Sequence, residues 1–535
     1  MSTRGISLIV AGAVSLVACN AVTGLGDLEF NRDAIGAGGS TGSAEGGGSS
    51  TGSMGGEGGG VTLPDPDLVW AKQFGDEGED YPAALAFAGS GELLLGGSFS
   101  GTIDLGGATA TSVDFSNDAF VARISSDGTP LYVRPIDAGV GQDCLRDMAF
   151  LSTGEVLALV GIGATAECLA ANYPSSPSMS SGLFSTGLNS FKLFKLGTDG
   201  APVSDQVVCF GCEFNPADNV EGPMTVGTDA QDSVFIGGSF SYGYFFEPGN
   251  GVPANGPIDA FVVKYDAGGN PAFFKTLGTD NGFSVVTDLA PDGTGGVVVA
   301  GIFQDRIRLG GNVRELPAAD SPIFVARFAS DGDHVWSAVF AKGWGGSPPH
   351  LALTSDGVIM AGDFYDTIDF GGGALQAQGA TPATSDAYLV KFTLQGAHVW
   401  SRRFGDVVGP LKEQQGVTSI VVEPDGNLLL GGAFGGTLDL GTKVLTAVGQ
   451  RDAFILRLDA SGNPLTQRHI PSTAMATTQG DVFAAPGAAG HIAVTGAFIG
   501  DVDYGGEQPF QSLSQSSDYN DGLVVLYKEP LYQHP

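Results

Sequence analysis

The chain has 535 residues, with 58 Asp and Glu against 24 Lys and Arg and a formal net charge of −34 at pH 7. That balance excludes the basic clusters that nucleic acid, or direct docking on anionic lipid, requires. It suits a solvent-exposed protein and tolerates divalent cations without specifying either.

Arg4 alone charges the amino end, and Ile6 to Ala18 is apolar or small, a run too short to span a bilayer but right for a signal-peptide core. It ends in Leu16-Val17-Ala18-Cys19, which resembles the lipobox of bacterial lipoproteins. The resemblance implies a signal peptide over residues 1–18, a lipidated Cys19 opening the segment 19–35, and contact with the membrane through an amino-terminal lipid anchor. Asn20, where an Asp would signal retention, implies sorting to the outer membrane. Residues 36–60 are almost entirely Gly, Ser, Thr, Ala and Glu, too polar and small to offset their ordering entropy. As a Gly-rich coil this tether spans about 25–30 Å. Two G-x-S-x-G matches fall within it, around Ser40 and Ser50, without the strand-turn-helix context that a nucleophile elbow needs.

From residue 61 to 535 one pattern recurs seven times. In its first copy Leu93 to Phe99 leads through Thr102-Ile103-Asp104-Leu105-Gly106-Gly107 to Asp118-Ala119-Phe120-Val121-Ala122-Arg123 and the turn Asp127-Gly128. The repeat length of about 60–77 residues is too long for a solenoid unit and fits a four-stranded propeller blade. Short β-rich runs between Gly, Asp, Asn and Pro turns predict four strands per unit and no helix after the signal peptide. In the fourth unit these are placed near Ser284–Ala290, Val297–Phe303, Ile323–Ala329 and His334–Phe340. The seventh unit stops after Leu523 to Lys528, before a fourth strand, and Leu68 to Phe74 resembles the missing one. The expected fold is therefore all-β: a seven-bladed β-propeller of four-stranded antiparallel blades, the last closed by residues 68–74.

The Gly-Gly or Ala-Gly after strand two, the Asp-Ala-Phe-Val-x-Lys/Arg of strand three and the turn before strand four resemble bacterial surface proteins with SBBP-type β-propeller repeats. That resemblance implies a propeller and a surface setting. It supplies no catalytic residues.

Residues that recur in every blade read as requirements of the blade. Arg123, Lys195, Lys264, Arg327, Lys391 and Arg457 share one strand-three position, which predicts structural ion pairs or packed stems. Asp104, Asp369, Asp439 and Asp503 share a turn position. A common calcium role is the other reading of these aspartates, unsupported by any D-x-D-x-D-G loop, so no cofactor and no metal site is assigned. His334 and His398 stand where other units carry Pro, while His350, His469 and His491 are isolated in sequence. No catalytic residue is assigned.

The departures from the repeat are the site candidates. Trp344 lies between glycines, and Tyr242, Tyr244 and Phe245 replace the usual Gly-Thr-Ile-Asp-Leu with aromatics. Both features suit binding of a surface protein or glycan, and both have a packing alternative. Cys144, Cys168, Cys209 and Cys212 fall in units two and three, an even count read in an exported chain as disulfides. Pairing Cys144 with Cys168 across a hairpin and Cys209 with Cys212 in a short loop is preferred among the three connectivities. The functional expectation is a non-enzymatic envelope lipoprotein that binds through its propeller. A hydrolase or lyase using the central pocket and a purely structural envelope component are the alternatives. The discriminating sign for the enzyme is convergence of acidic and histidine side chains from different first strands.

Overall fold

A computed structural model describes residues 67–528, apart from internal stretches of which 165–189 and 210–222 are the longest. The lipobox, Cys19 and the tether lie outside the described residues. Seven four-stranded antiparallel sheets form a seven-bladed β-propeller, and the described residues contain no helix.

Blade one takes Asp80–Phe87, Leu93–Phe99, Asp118–Ile124 and Pro130–Ile136 in sheet order. The first strands of blades two to seven are Gln142–Phe150, Pro223–Thr228, Phe283–Pro291, His350–Thr354, Gln415–Val422 and Val482–Pro486. Consecutive first strands touch one another around the ring, so they line its axis and the fourth strands form its rim. Blade four follows the sequence expectation closely, except that its second strand, Val297–Arg308, runs on into a short hairpin with Val313–Leu316. Such hairpins stand between the second and third strands of other blades too, for example Thr102–Asp104 with Thr109–Thr111. Their two to four residues are too few to show a period of two, which is why the sequence pattern did not mark them as strands.

The repeated Gly-Gly has a steric cause. Gly97 pairs with Phe120, Gly301 with Phe324, Gly362 with Tyr388 and Gly432 with Phe454. A Cβ on Gly97 would stand 2.1 Å from the Tyr81 carbonyl and 2.9 Å from the Phe120 ring. The second strand thus gives up a side chain so that the aromatic on the third can lie across it. Apolar side chains of neighbouring blades meet in seven separate cores, one per junction; Leu94, Val121 and Tyr132 of blade one, for instance, pack with Leu145, Val160 and Phe194 of blade two. Stability is therefore built at junctions, as in other repeat architectures.

The last blade closes as expected. Leu68–Phe74 pairs antiparallel with Asp521–Lys528, from Leu68 opposite Tyr527 to Phe74 opposite Gly522. A ring closed this way leaves no sheet unfinished at either end of the described chain.

Candidate functional site

The strand-three cations are scaffold. Each reaches an acid in the turn between the first two strands of its own blade: Arg123 to Glu92 at 2.6 Å, Lys195 to Glu155 at 2.9 Å, Arg327 to Asp292 at 2.8 Å and Lys391 to Asp356 at 2.7 Å. Arg457 pairs with Glu423 and Asp425, and Lys264 lies 3.9 Å from Asp229. Asp104, Asp369, Asp439 and Asp503 each accept a hydrogen bond from the glycine N–H two residues on, at 2.7–2.9 Å. Those carboxylates shape turns, in agreement with the sequence reading.

The ring axis holds a different arrangement. A cavity of about 200 Å³ is bounded by first strands, with Ala84, Met148, Leu289 and Ile420 among its apolar walls. Asp147, Asp288 and His350, from blades two, four and five, all line it. His350 Nδ1 lies 3.9 Å from Asp288 Oδ2. Bulges place the two carboxylates: the first strands of blades two and four shift register between Leu145 and Asp147 and between Val286 and Asp288. A bulge turns an extra residue off the regular alternation, and here it re-aims an acid toward the axis.

Both carboxylates are half-buried beside the lumen, the Asp288 side chain 25% exposed. Burial pushes Asp147 up to about 6, against hydrogen bonds from Val226, Met148 and Thr225 that favour its charge. Asp288 is pushed up to about 7 by burial, opposed by the Leu351 N–H and reinforced by the charge of Asp147. Their oxygens are committed across blades. Asp147 Oδ2 accepts from Val226 N–H and the Thr225 hydroxyl, both at 2.9 Å, and Asp288 Oδ2 accepts from Leu351 N–H at 2.7 Å. Each acid thereby ties its own blade to the first strand of the next. No group of three or more metal-ligating side chains is found among the described residues.

Sequence spacing gave no hint of this cluster, because its members meet only when the ring closes. His469 was equally isolated in sequence, yet its Nε2 lies 2.6 Å from Asp452 Oδ2. His334 and His398 bond to Ser337 and Ser401 three residues along their own strands, as scaffold.

The aromatic candidates are not brought together by the described residues. Trp344 and Tyr242 lie outside them, and Tyr244–Phe245 is described only as a short strand opposite Gly251–Val252. Cys168 and Cys212 also lie outside. Cys144 is buried on the first strand of blade two, and Cys209 ends the fourth strand, Pro202–Cys209. Cys144, Gly161, Phe191 and Cys209 stand in one row across that sheet. Three strand spacings separate the two cysteines, about 14 Å at 4.8 Å each, beyond the reach of a disulfide. One of the three connectivities, Cys144 with Cys209, is thereby removed.

The strand order and ring closure define a seven-bladed β-propeller. No family model and no curated protein matches the chain. Among solved structures it is similar to a protein of unknown function from Dyadobacter fermentans, at 11% identity and a TM-score of 0.37 over 86% of this chain and 99% of that one. The Dos1 propeller matches at 10% identity and 0.36, over 87% and 96%. The periplasmic gluconolactonase PpgL of Pseudomonas aeruginosa matches at 14% and 0.31, over 72% and 88%. The assignment of the fold rests on the strand pairing and not on these likenesses.

Proposed function

We propose that the chain is a lipoprotein of the cell envelope, anchored at Cys19 and carrying SBBP-type repeats, whose propeller is a rigid, non-enzymatic module for binding a surface protein or glycan. The observation that carries the non-enzymatic part is the commitment of Asp147 and Asp288 to backbone N–H groups of adjacent blades. Carboxylates held in that way act as staples. The axial cavity of about 200 Å³ is also smaller than the roughly 300–1,000 Å³ of ordinary ligand pockets. The lipobox supports anchoring, and the aromatic departures at Tyr242, Tyr244, Phe245 and Trp344 support binding by loops. Disulfides among Cys144, Cys168, Cys209 and Cys212 belong to this exported setting.

Two measurements test it. Metabolic labelling with a fatty acid should mark the wild type and not Cys19→Ala. A screen of glycans and surface proteins with residues 61–535 should find a saturable ligand that Trp344→Ala or Tyr244→Ala weakens. A screen with no saturable ligand would leave the structural envelope component as the reading.

The second reading, an exported hydrolase or lyase, is favoured by one specific observation: the convergence of Asp147, Asp288 and His350 on the axis. Turnover of a glycosidic, ester or peptide substrate that Asp288→Asn abolishes would establish it and overturn the first.

A further inference from the structure

In five of the seven junctions an aromatic on the fourth strand packs against the turn glycine that joins strands three and four of the next blade. The pairs are Trp70 with Gly128, Tyr132 with Gly200, Phe273 with Gly332, Trp336 with Gly396 and Trp400 with Gly462. Blade seven has no such turn, because its third and fourth strands, Asp521–Lys528 and Leu68–Phe74, come from opposite ends of the described chain. The aromatic is absent from blade six, where Thr466 faces Arg457 in the position that Trp400 takes opposite Lys391, and from blade two, where Ser204 faces Lys195 although blade three keeps its turn.

Another side chain occupies the gap. Arg468, on the fourth strand Pro464–Ile470 of blade six, places Nη1 at 2.9 Å from Asp67 Oδ2, with the two side chains 3% and 4% exposed. Its guanidinium lies over the Tyr527 ring, 4.1 Å from the centroid. Nη2 donates to the Tyr504 carbonyl at 3.0 Å, which also accepts from the Tyr527 hydroxyl at 2.8 Å. Asp67 in turn accepts the Lys528 N–H through its carbonyl at 2.7 Å.

We infer that Arg468 is a noncovalent replacement for the missing turn: it grips Asp67, just before one strand, and Tyr527 on the other, at the end where a peptide turn joins strands three and four of any other blade. Ring closure is therefore a separately openable unit gated by Arg468. A planar, fully ionised group with several donors suits the task, since it can pair, stack and bond to a carbonyl at once. Local opening of this kind is set by the contacts that hold the unit, independently of the rest of the fold.

Hydrogen exchange on the full chain tests the inference. In Arg468→Met, which keeps an apolar stem, exchange over residues 68–74 and 521–528 should accelerate about tenfold or more, because one member of a buried pair is lost. The matching rim strand of blade five, His398–Phe404, should stay at the wild-type rate. Arg402 stands at the equivalent position in blade five and donates to the Ser461 carbonyl in the turn of blade six; that turn is covalent, so Arg402→Met should leave residues 464–470, the fourth strand of blade six, nearly unchanged. Equal acceleration in every rim strand, or none in 68–74, would overturn the inference. Should Arg468→Met not fold, Asp67→Asn decides it: that variant keeps the stacking on Tyr527 and should still release 68–74 selectively. Wild-type protection of 68–74 in Asp67→Asn would sink the idea.

Discussion

The indole of Trp70 lies on Gly128 of the neighbouring blade: a Cβ on that glycine would stand 3.0 Å from the ring, and the indole N–H donates to the Ser126 carbonyl at 3.1 Å. The same contact between a rim aromatic and a turn glycine explains why three of the four tryptophans recur in strand four. It also makes the glycine a packing partner as well as a turn residue.

Gly128 has φ +85°, and so has a second reason to resist substitution. Gly426 has φ +86° with nothing within 4 Å of an added Cβ. Gly426→Ala should therefore cost only the left-handed backbone term, about 1–2 kcal/mol. Gly128→Ala should cost about 1–3 kcal/mol more, from overpacking against Trp70. Denaturation midpoints of the two variants measure the difference, and equal losses would refute the packing role.

Burial pushes the Asp80 carboxyl up to about 8, opposed by the Asp76 N–H and reinforced by the charges of Asp76, Asp521 and Glu79. Such a group keeps a proton in the fold that the unfolded chain, at its ordinary value of 3.8, has already lost. Its contribution is fully present below that ordinary value and is lost as pH rises to about 8, at about 1.4 kcal/mol per pH unit. Asp147 and Asp288 act in the same direction up to about 6 and 7. Melting temperature should fall as pH rises from 5 to 8. Asp80→Asn should flatten that slope and be the more stable protein at pH 8; a variant with the wild-type slope would remove Asp80 as its cause.

The in-blade ion pairs differ in their surroundings. Asp292 has a fully buried side chain beside Arg327, so Arg327→Met should lower stability by about 3–5 kcal/mol by leaving that charge unpaired. The pair of Arg306 with Glu315 is exposed on a rim hairpin. Glu315→Gln should change stability by less than about 1 kcal/mol. Chemical denaturation of both variants checks the contrast.

If Asp288 is a staple between blades four and five, what matters is the oxygen that accepts the Leu351 N–H across the junction, the other oxygen accepting only the Leu289 N–H of its own strand. Asp288→Asn retains such an oxygen and removes a charge that burial disfavours, so it should match or exceed wild-type stability at pH 8. Asp288→Ala leaves buried donors unsatisfied and should lose about 1–3 kcal/mol. Identical stabilities for the two variants would refute the staple.

The blades were legible in the sequence because their marks are local: a glycine opposite an aromatic, an Asp before strand three, an Asp-Gly turn. Even the closing strand could be found, since Trp70 repeats the pattern of Trp336 and Trp400. The acids that partner the strand-three cations were not identified, because the partner is Glu or Asp at varying distance in a turn, as Glu92, Glu155 and Asp356 show. The axial cluster was invisible for a deeper reason. Asp147, Asp288 and His350 lie in three different blades, and only the curvature of the ring, a sum over all seven junctions, brings their strands to one lumen. Arg468 sits in an ordinary strand-four pattern, and its role depends on a turn that another blade lacks.

The stitching of blade seven from both ends of the described chain sets an order of events. Gln73 and Asp521 are separated by 448 positions in sequence and are hydrogen-bonded in the fold. During synthesis the strand Leu68–Phe74 emerges first among these elements and its partner emerges last. Contacts of such long separation form slowly, because the loop between them must close before they contribute. The earliest strand of the ring therefore waits, unpaired at its edge, for nearly the whole of the propeller to be made.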